Sequence, residues 1–143
     1  AYAGYMSKAS KILVESYTGV NVHPADLRLR KKGKPLYTGT HAVRKALQTG
    51  EKELRSTTHF VSEAVDCGQI FIVSAPLPVD YSEVEKIGIE QAASIYQNRL
   101  KEHGDWKIFP KTLKALAQGR FCIDFSGNLY YDGRPVPDGI EYH

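Results

Sequence analysis

The tetrapeptide Ile70-Phe71-Ile72-Val73, an unbroken apolar run between Gln69 and Ser74, constrains the fold of this chain more than any other stretch. A short run of β-branched and aromatic residues predicts a strand buried on both faces, which requires protein on either side of its sheet. Ser56 to Ser62, with Thr57, Thr58, Phe60 and Val61, predicts a second strand. The segment between them is short enough for a loop or bulged hairpin, so the pair should be antiparallel, with Asp66 at the turn beside the strand ends. On its own, Asp66 reads equally well as an Asx turn closing on its own backbone.

A second informative stretch is Val20-Asn21-Val22-His23-Pro24. The valines favour extended backbone and side chains alternate along a strand, so Asn21 and His23 should share one face. Pro24 lacks an N–H and pushes its predecessor towards extended geometry, which ends the strand at His23. Upstream, Ala1 to Tyr5 reads as the end of a buried strand. Ser7 or Ser10 then caps a helix carrying Ile12, Leu13 and Tyr17, and Gly19 closes it. Strand, helix, strand in this order predicts parallel pairing and an α/β sheet. Such sheets bind ligands beyond the C-terminal ends of their strands, where Asn21 and His23 fall. The alternative is structural: Asn21 begins a turn and His23 is only hydrogen-bonded.

The charged stretch from Asp26 through Arg28, Arg30, Lys31, Lys32 and Lys34 to Pro35 reads either as a solvated loop or as an anion site for a phosphate or polycarboxylate tail. Thr40 is positioned to cap a helix running to Gly50. Ser82 and Glu85 form a capping box at the head of the longest helix, which reaches Gly104 and lies over the sheet. Pro110 suits the first turn of another helix stopping at Gly119, and Phe121 to Tyr131 around Ser126-Gly127-Asn128 predicts a C-terminal β-hairpin. At 143 residues, 42% hydrophobic and 24% charged, the chain reads as one globular domain over residues 1–143. A net charge of +3 is too small to imply nucleic-acid binding. Cys67 and Cys122 form no framework or C-x-x-C motif, and no apolar run could span a membrane, so a reduced cytoplasmic setting is expected.

Four motifs in order are Asn21-Val22-His23-Pro24, Tyr37-Thr38-Gly39-Thr40-His41, Thr58-His59-Phe60-Val61 and Val65-Asp66-Cys67-Gly68-Gln69-Ile70. Together with Ala3-Gly4-Tyr5-Met6 they resemble the folate-dependent formyltransferases, above all the branch acting on glycinamide ribonucleotide in purine biosynthesis. The resemblance covers nearly the whole chain. It implies a transferase with 10-formyltetrahydrofolate as cosubstrate, a small phosphorylated amine as acceptor, and no metal. It also implies that Asn21, His23 and Asp66 are catalytic. Asn21 and a protonated His23 would stabilise the oxyanion formed when the amine attacks the formyl group, and Asp66 would favour the charged imidazole and orient it. The pterin pocket would be formed by Met6, Ser7 and Ala9 on one wall and Val61, Glu63, Val65 and Asp66 on the other. His41 and His59 would line the site or serve structure.

The other readings are a formyltransferase for an amino sugar or methionyl-tRNA, a formyltetrahydrofolate deformylase using water, and a non-catalytic folate- or anion-binding module. Three departures from the family pattern stand out. The segment after His23-Pro24 is longer and basic. Cys67 replaces the first glycine of D-G-G, which requires that position 67 not need positive φ. The family's N-terminal half, with its Gly-rich phosphate turn, is not represented. The expectation is therefore a partial formyltransferase fold, the C-terminal catalytic portion. Its parallel and antiparallel strands would be flanked by helices, and its open sheet edge would be covered by the missing half or by a second copy in a homodimer.

Overall fold

A computed structural model describes Lys11 and residues 19–143. The expected strand at Ala1–Tyr5, most of the helix after it, and the pocket residues Met6, Ser7 and Ala9 lie outside the described residues. The chain runs through β1 (Val20–His23), β2 (Arg30–Lys31), β3 (Lys34–Pro35), α1 (Ala42–Gln48), β4 (Glu53–Leu54), β5 (Thr57–Phe60), β6 (Ile70–Val73) and β7 (Leu77–Pro78). It continues as α2 (Tyr81–Ile87), α3 (Ile89–Leu100), a π turn at Lys101–Asp105, α4 (Trp106–Ala117), β8 (Phe121–Ile123), β9 (Leu129–Tyr131), β10 (Arg134–Pro135) and β11 (Ile140–Glu141).

The central sheet has the order β1-β5-β6-β11. All four residues of β6 are buried, as the apolar run predicts: Phe71 and Ile72 cluster with Ile108, Ala115 and Phe121, while Ile70 and Val73 pack with Leu27. Strands β5 and β6 pair antiparallel, with Thr57 opposite Val73 and a register shift between Thr58 and His59. β1 is antiparallel to β5, placing Asn21 opposite His59. The parallel pair among the described residues is β6 with β11, Ile140 opposite Ile72, so the sheet is mixed. No residue pattern announces β11, which has two residues and is held by its partner strand. Gly139, at φ +72, leads into it, because a side chain there would meet Ile70 and the Phe71 carbonyl.

Several element boundaries differ from the expected ones. His41 rather than Thr40 precedes α1. Asp80, not Ser82, caps α2, its carboxylate accepting the Ser82 N–H at 2.9 Å. The single long helix is divided at Gly88, whose φ of 82° and ψ of 153° cannot continue a helix. Gly104 does not stop the chain's helical course: it is buried, and a Cβ would lie 2.5 Å from the Ser56 hydroxyl. The π turn carries the backbone past this contact directly into α4, leaving Pro110 inside the helix instead of in its first turn. The terminal hairpin forms as predicted, with Cys122 opposite Tyr130 and the Asp124 carboxylate accepting the Ser126 and Asn128 N–H groups.

The basic stretch forms a hairpin. β2 and β3 pair antiparallel around Lys32 and Gly33, both at positive φ (51° and 77°), as a two-residue turn requires. No helix among the described residues is long and apolar enough to cross a membrane.

Candidate active site

The site assembles where β1 ends beside the turn that follows β5. Strand alternation and register put Asn21 and His23 on the side of His59, and the loop after β5 returns Asp66 to them. Asp66 has φ 55°, a left-handed conformation that short polar side chains tolerate. Cys67 is not among the positive-φ residues, so its replacement of glycine requires no strained backbone. Gly68 has a steric role instead, because a Cβ there would collide with the Phe60 backbone carbonyl.

Asp66 is the hub. Its Oδ2 lies 3.4 Å from His23 Nδ1 and accepts the Gly39 N–H at 2.8 Å; its Oδ1 lies 3.5 Å from His59 Nε2. Asn21 Nδ2 is 3.4 Å from the same His59 nitrogen. The outer nitrogens of both imidazoles are anchored on backbone: His23 Nε2 donates to the Tyr37 carbonyl at 2.8 Å, and His59 Nδ1 donates to the Phe60 carbonyl at 2.7 Å. A carbonyl can only accept, so these two nitrogens carry protons and the inner nitrogens face the carboxylate. Two imidazole lone pairs facing an ionised carboxylate would repel it. The cluster is therefore built to hold a proton between Asp66 and the histidines.

His23 is 5% exposed, His59 2% and Asp66 9%, whereas Asn21 is open to solvent. The amide thus forms the outer rim of a buried proton-holding group. Burial lowers the His23 pKa, outweighing the Asp66 charge and the Tyr37 carbonyl, which raise it. Burial raises the Asp66 pKa, but the His59 hydrogen bond, the His23 charge and the Gly39 N–H together hold it below the ordinary carboxylate value. Desolvation and the Asp66 charge thus act on His23 in opposite directions, and the Asp66 carboxylate keeps its charge beside the two imidazoles.

The geometry also enlarges the predicted set. His59, expected to line the site or serve structure, touches both Asn21 and Asp66. The Tyr37 carbonyl and the Gly39 N–H are the backbone partners of His23 and Asp66, and both fall within the Tyr37-Thr38-Gly39 motif. Tyr37 is itself pinned, its hydroxyl donating to Glu51 Oε1 at 2.6 Å. Of the expected pterin wall, Val61 donates its N–H to the Gly19 carbonyl at 2.8 Å, while Glu63 and Val65 are exposed in the loop leading to Asp66. His41 stands apart, lining a polar cavity of about 280 Å³ with Arg44, Glu90 and Ser94.

The profile of the formyl transferase family matches residues 1–112. The chain belongs to the formyl transferase family. Among curated relatives of this family member, the trifunctional purine biosynthetic protein adenosine-3 of Drosophila melanogaster is 37% identical over 123 residues, which is 85% of this chain and 8% of that protein. The phosphoribosylglycinamide formyltransferase of Haemophilus influenzae is 30% identical over 94% of this chain and 56% of its own length. A solved phosphoribosylglycinamide formyltransferase from Coxiella burnetii superposes with a TM-score of 0.70 at 26% identity, covering 99% of this chain and 59% of that one. The mixed α/β architecture is that of these formyltransferases. This formyl transferase chain spans a little over half the length of the bacterial relatives it matches.

Proposed function

We propose that this chain carries the formyl-transfer centre of a phosphoribosylglycinamide formyltransferase, moving the formyl group of 10-formyltetrahydrofolate to the amine of glycinamide ribonucleotide in purine biosynthesis. The observation that carries the reading is the convergence of Asn21, His23, His59 and Asp66 at the end of β1, with Asn21 at the exposed rim. The relatives' names favour this acceptor.

In this reading the acceptor nitrogen bonds to the formyl carbon, and the carbonyl electron pair moves onto oxygen. The Asn21 amide N–H donates to that oxyanion. The amine proton passes to the inner nitrogen of neutral His23, which Asp66 orients and the Tyr37 carbonyl holds in one tautomer. On collapse the oxyanion re-forms the carbonyl, the bond to N10 of tetrahydrofolate breaks, and the departing nitrogen takes the proton back from His23. No step calls on a metal. The loop over Val61, Glu63, Val65 and Asp66, with Met6, Ser7 and Ala9, binds the pterin. The acceptor's phosphate is expected on the part of the relatives that this chain does not match.

The test is a calorimetric titration of the full chain with a non-hydrolysable 10-formyltetrahydrofolate analogue, repeated on Asp66→Ala. Saturable binding that weakens roughly 10-fold or more in the variant is expected, as for loss of a buried charged hydrogen-bonding group. A folded chain that binds no analogue sinks the reading.

A further inference from the structure

The hairpin of β2 and β3 is not used by the chemistry above, and its charge is uncompensated. Arg28, at its base, is neutralised by Asp26 at 2.8 Å and Glu141 at 2.5 Å. Arg30, Lys31, Lys32 and Lys34 are exposed and have no acidic partner among the described residues. Four cations held on one short hairpin repel each other, an arrangement that an incoming polyanion relieves.

The arm is fixed to the site at both ends. Its first side follows His23 directly and is anchored by Leu27, which is buried and donates its N–H to Thr57 Oγ1 at 3.2 Å. Its second side enters Tyr37, whose carbonyl holds His23, and then Gly39, whose N–H holds Asp66. Lys34 and Tyr37 are three residue steps apart, at most roughly 10 Å of extended chain. The stem between cations and site presents Leu29 and Leu36, 37% and 40% exposed and joined by the Leu36 N–H to the Leu29 carbonyl at 2.9 Å. From the site outward, the surface is thus polar, then apolar, then cationic.

A folate has the same order beyond its formyl-bearing nitrogen: a benzoyl ring, an amide, then glutamyl carboxylates. We propose that the Arg30–Lys34 hairpin is the docking arm for the γ-linked glutamyl tail of the folate cosubstrate, with Leu29 and Leu36 against the ring. This rests on the folate-binding reading of the site. It makes the chain selective for cosubstrate carrying several glutamates over cosubstrate carrying one.

The experiment measures dissociation constants of the same non-hydrolysable analogue with one glutamate and with four γ-linked glutamates, at low and high salt. Wild-type chain is compared with the triple variant Lys31→Gln, Lys32→Asn, Lys34→Gln. Asparagine is chosen at position 32 because it accepts positive φ. Thermal melting checks that the variant folds. A tail advantage of about tenfold in the wild type, shrinking with salt and falling to about onefold in the variant, is expected for three screened ion pairs. Binding of the one-glutamate analogue with no gain from the longer tail overturns the docking arm and leaves the folate site standing. A tail gain that survives in the variant also overturns it. Failure of both analogues to bind removes the folate reading itself.

Discussion

His23 and His59 use opposite ring nitrogens to reach the same carboxylate, Nδ1 in one and Nε2 in the other, because their backbone anchors lie on different sides. The shared proton therefore belongs to the cluster, and its acid limb should reflect the depressed His23 value. Neutral His23 accepts a proton, and the neutral form predominates above its pKa, which burial places below the ordinary 6.5. The transfer rate, as kcat/KM, should be level above about pH 6.5 and decline as pH falls below it. A basic limb instead, with the rate falling as pH rises through the His23 value in a pH-rate profile of formyl transfer by the assembled enzyme, would show that His23 works as the cation. Strand alternation, Pro24 and the short turn each fix a direction locally, so the placement of Asn21 and His23 on one strand face and of Asp66 at the turn was legible in the sequence, whereas the roles expected of them rested on the family resemblance. His59 was legible as a motif residue that would line the site or serve structure. Its partnership with Asn21 depends on the register of two strands distant in sequence, and no local pattern encodes that.

The turn between β5 and β6 makes the site depend on a glycine that touches no catalytic side chain. The Phe60 carbonyl that a Gly68 side chain would strike is backbone, bonded into the strand beside His59, so the loop would have to move and take Asp66 with it. Gly68→Ala should destabilise the chain by about 1–3 kcal/mol in urea unfolding, as overpacking does elsewhere. Wild-type stability in that variant would show that the loop can shift freely. Elements whose cause is local were readable: β6 from its apolar run, the terminal hairpin from Ser126-Gly127-Asn128. The π turn was not, since Gly104 is required by Ser56 across the fold. The β2–β3 hairpin carried a Lys32-Gly33 turn signal hidden within a charge run that reads more readily as solvated loop.

Across the molecule, the segment from His23 to Gly39 forms a ring closed without a covalent bond: it leaves the site at one histidine and returns to the carboxylate that faces it. β11 lies against β6 from the far end of the chain, and Glu141 reaches Arg28 at the base of the ring. Each half of the ring is thus tied to the body independently, one by Leu27 and β1, the other by Tyr37 and α1. The peptide bonds at the exposed tip carry no structural burden, and the lysines there are substrates for trypsin. Brief digestion should cut at Lys31 or Lys32 and leave two fragments that travel together in gel filtration and separate only in denaturant, with intact mass identifying the cut. Fragments that part under native conditions would mean that the tip holds the ring together. Co-migration would make this a protein that can be produced as two complementing polypeptides, or given new ends at the tip, with its proton-holding centre assembled from both.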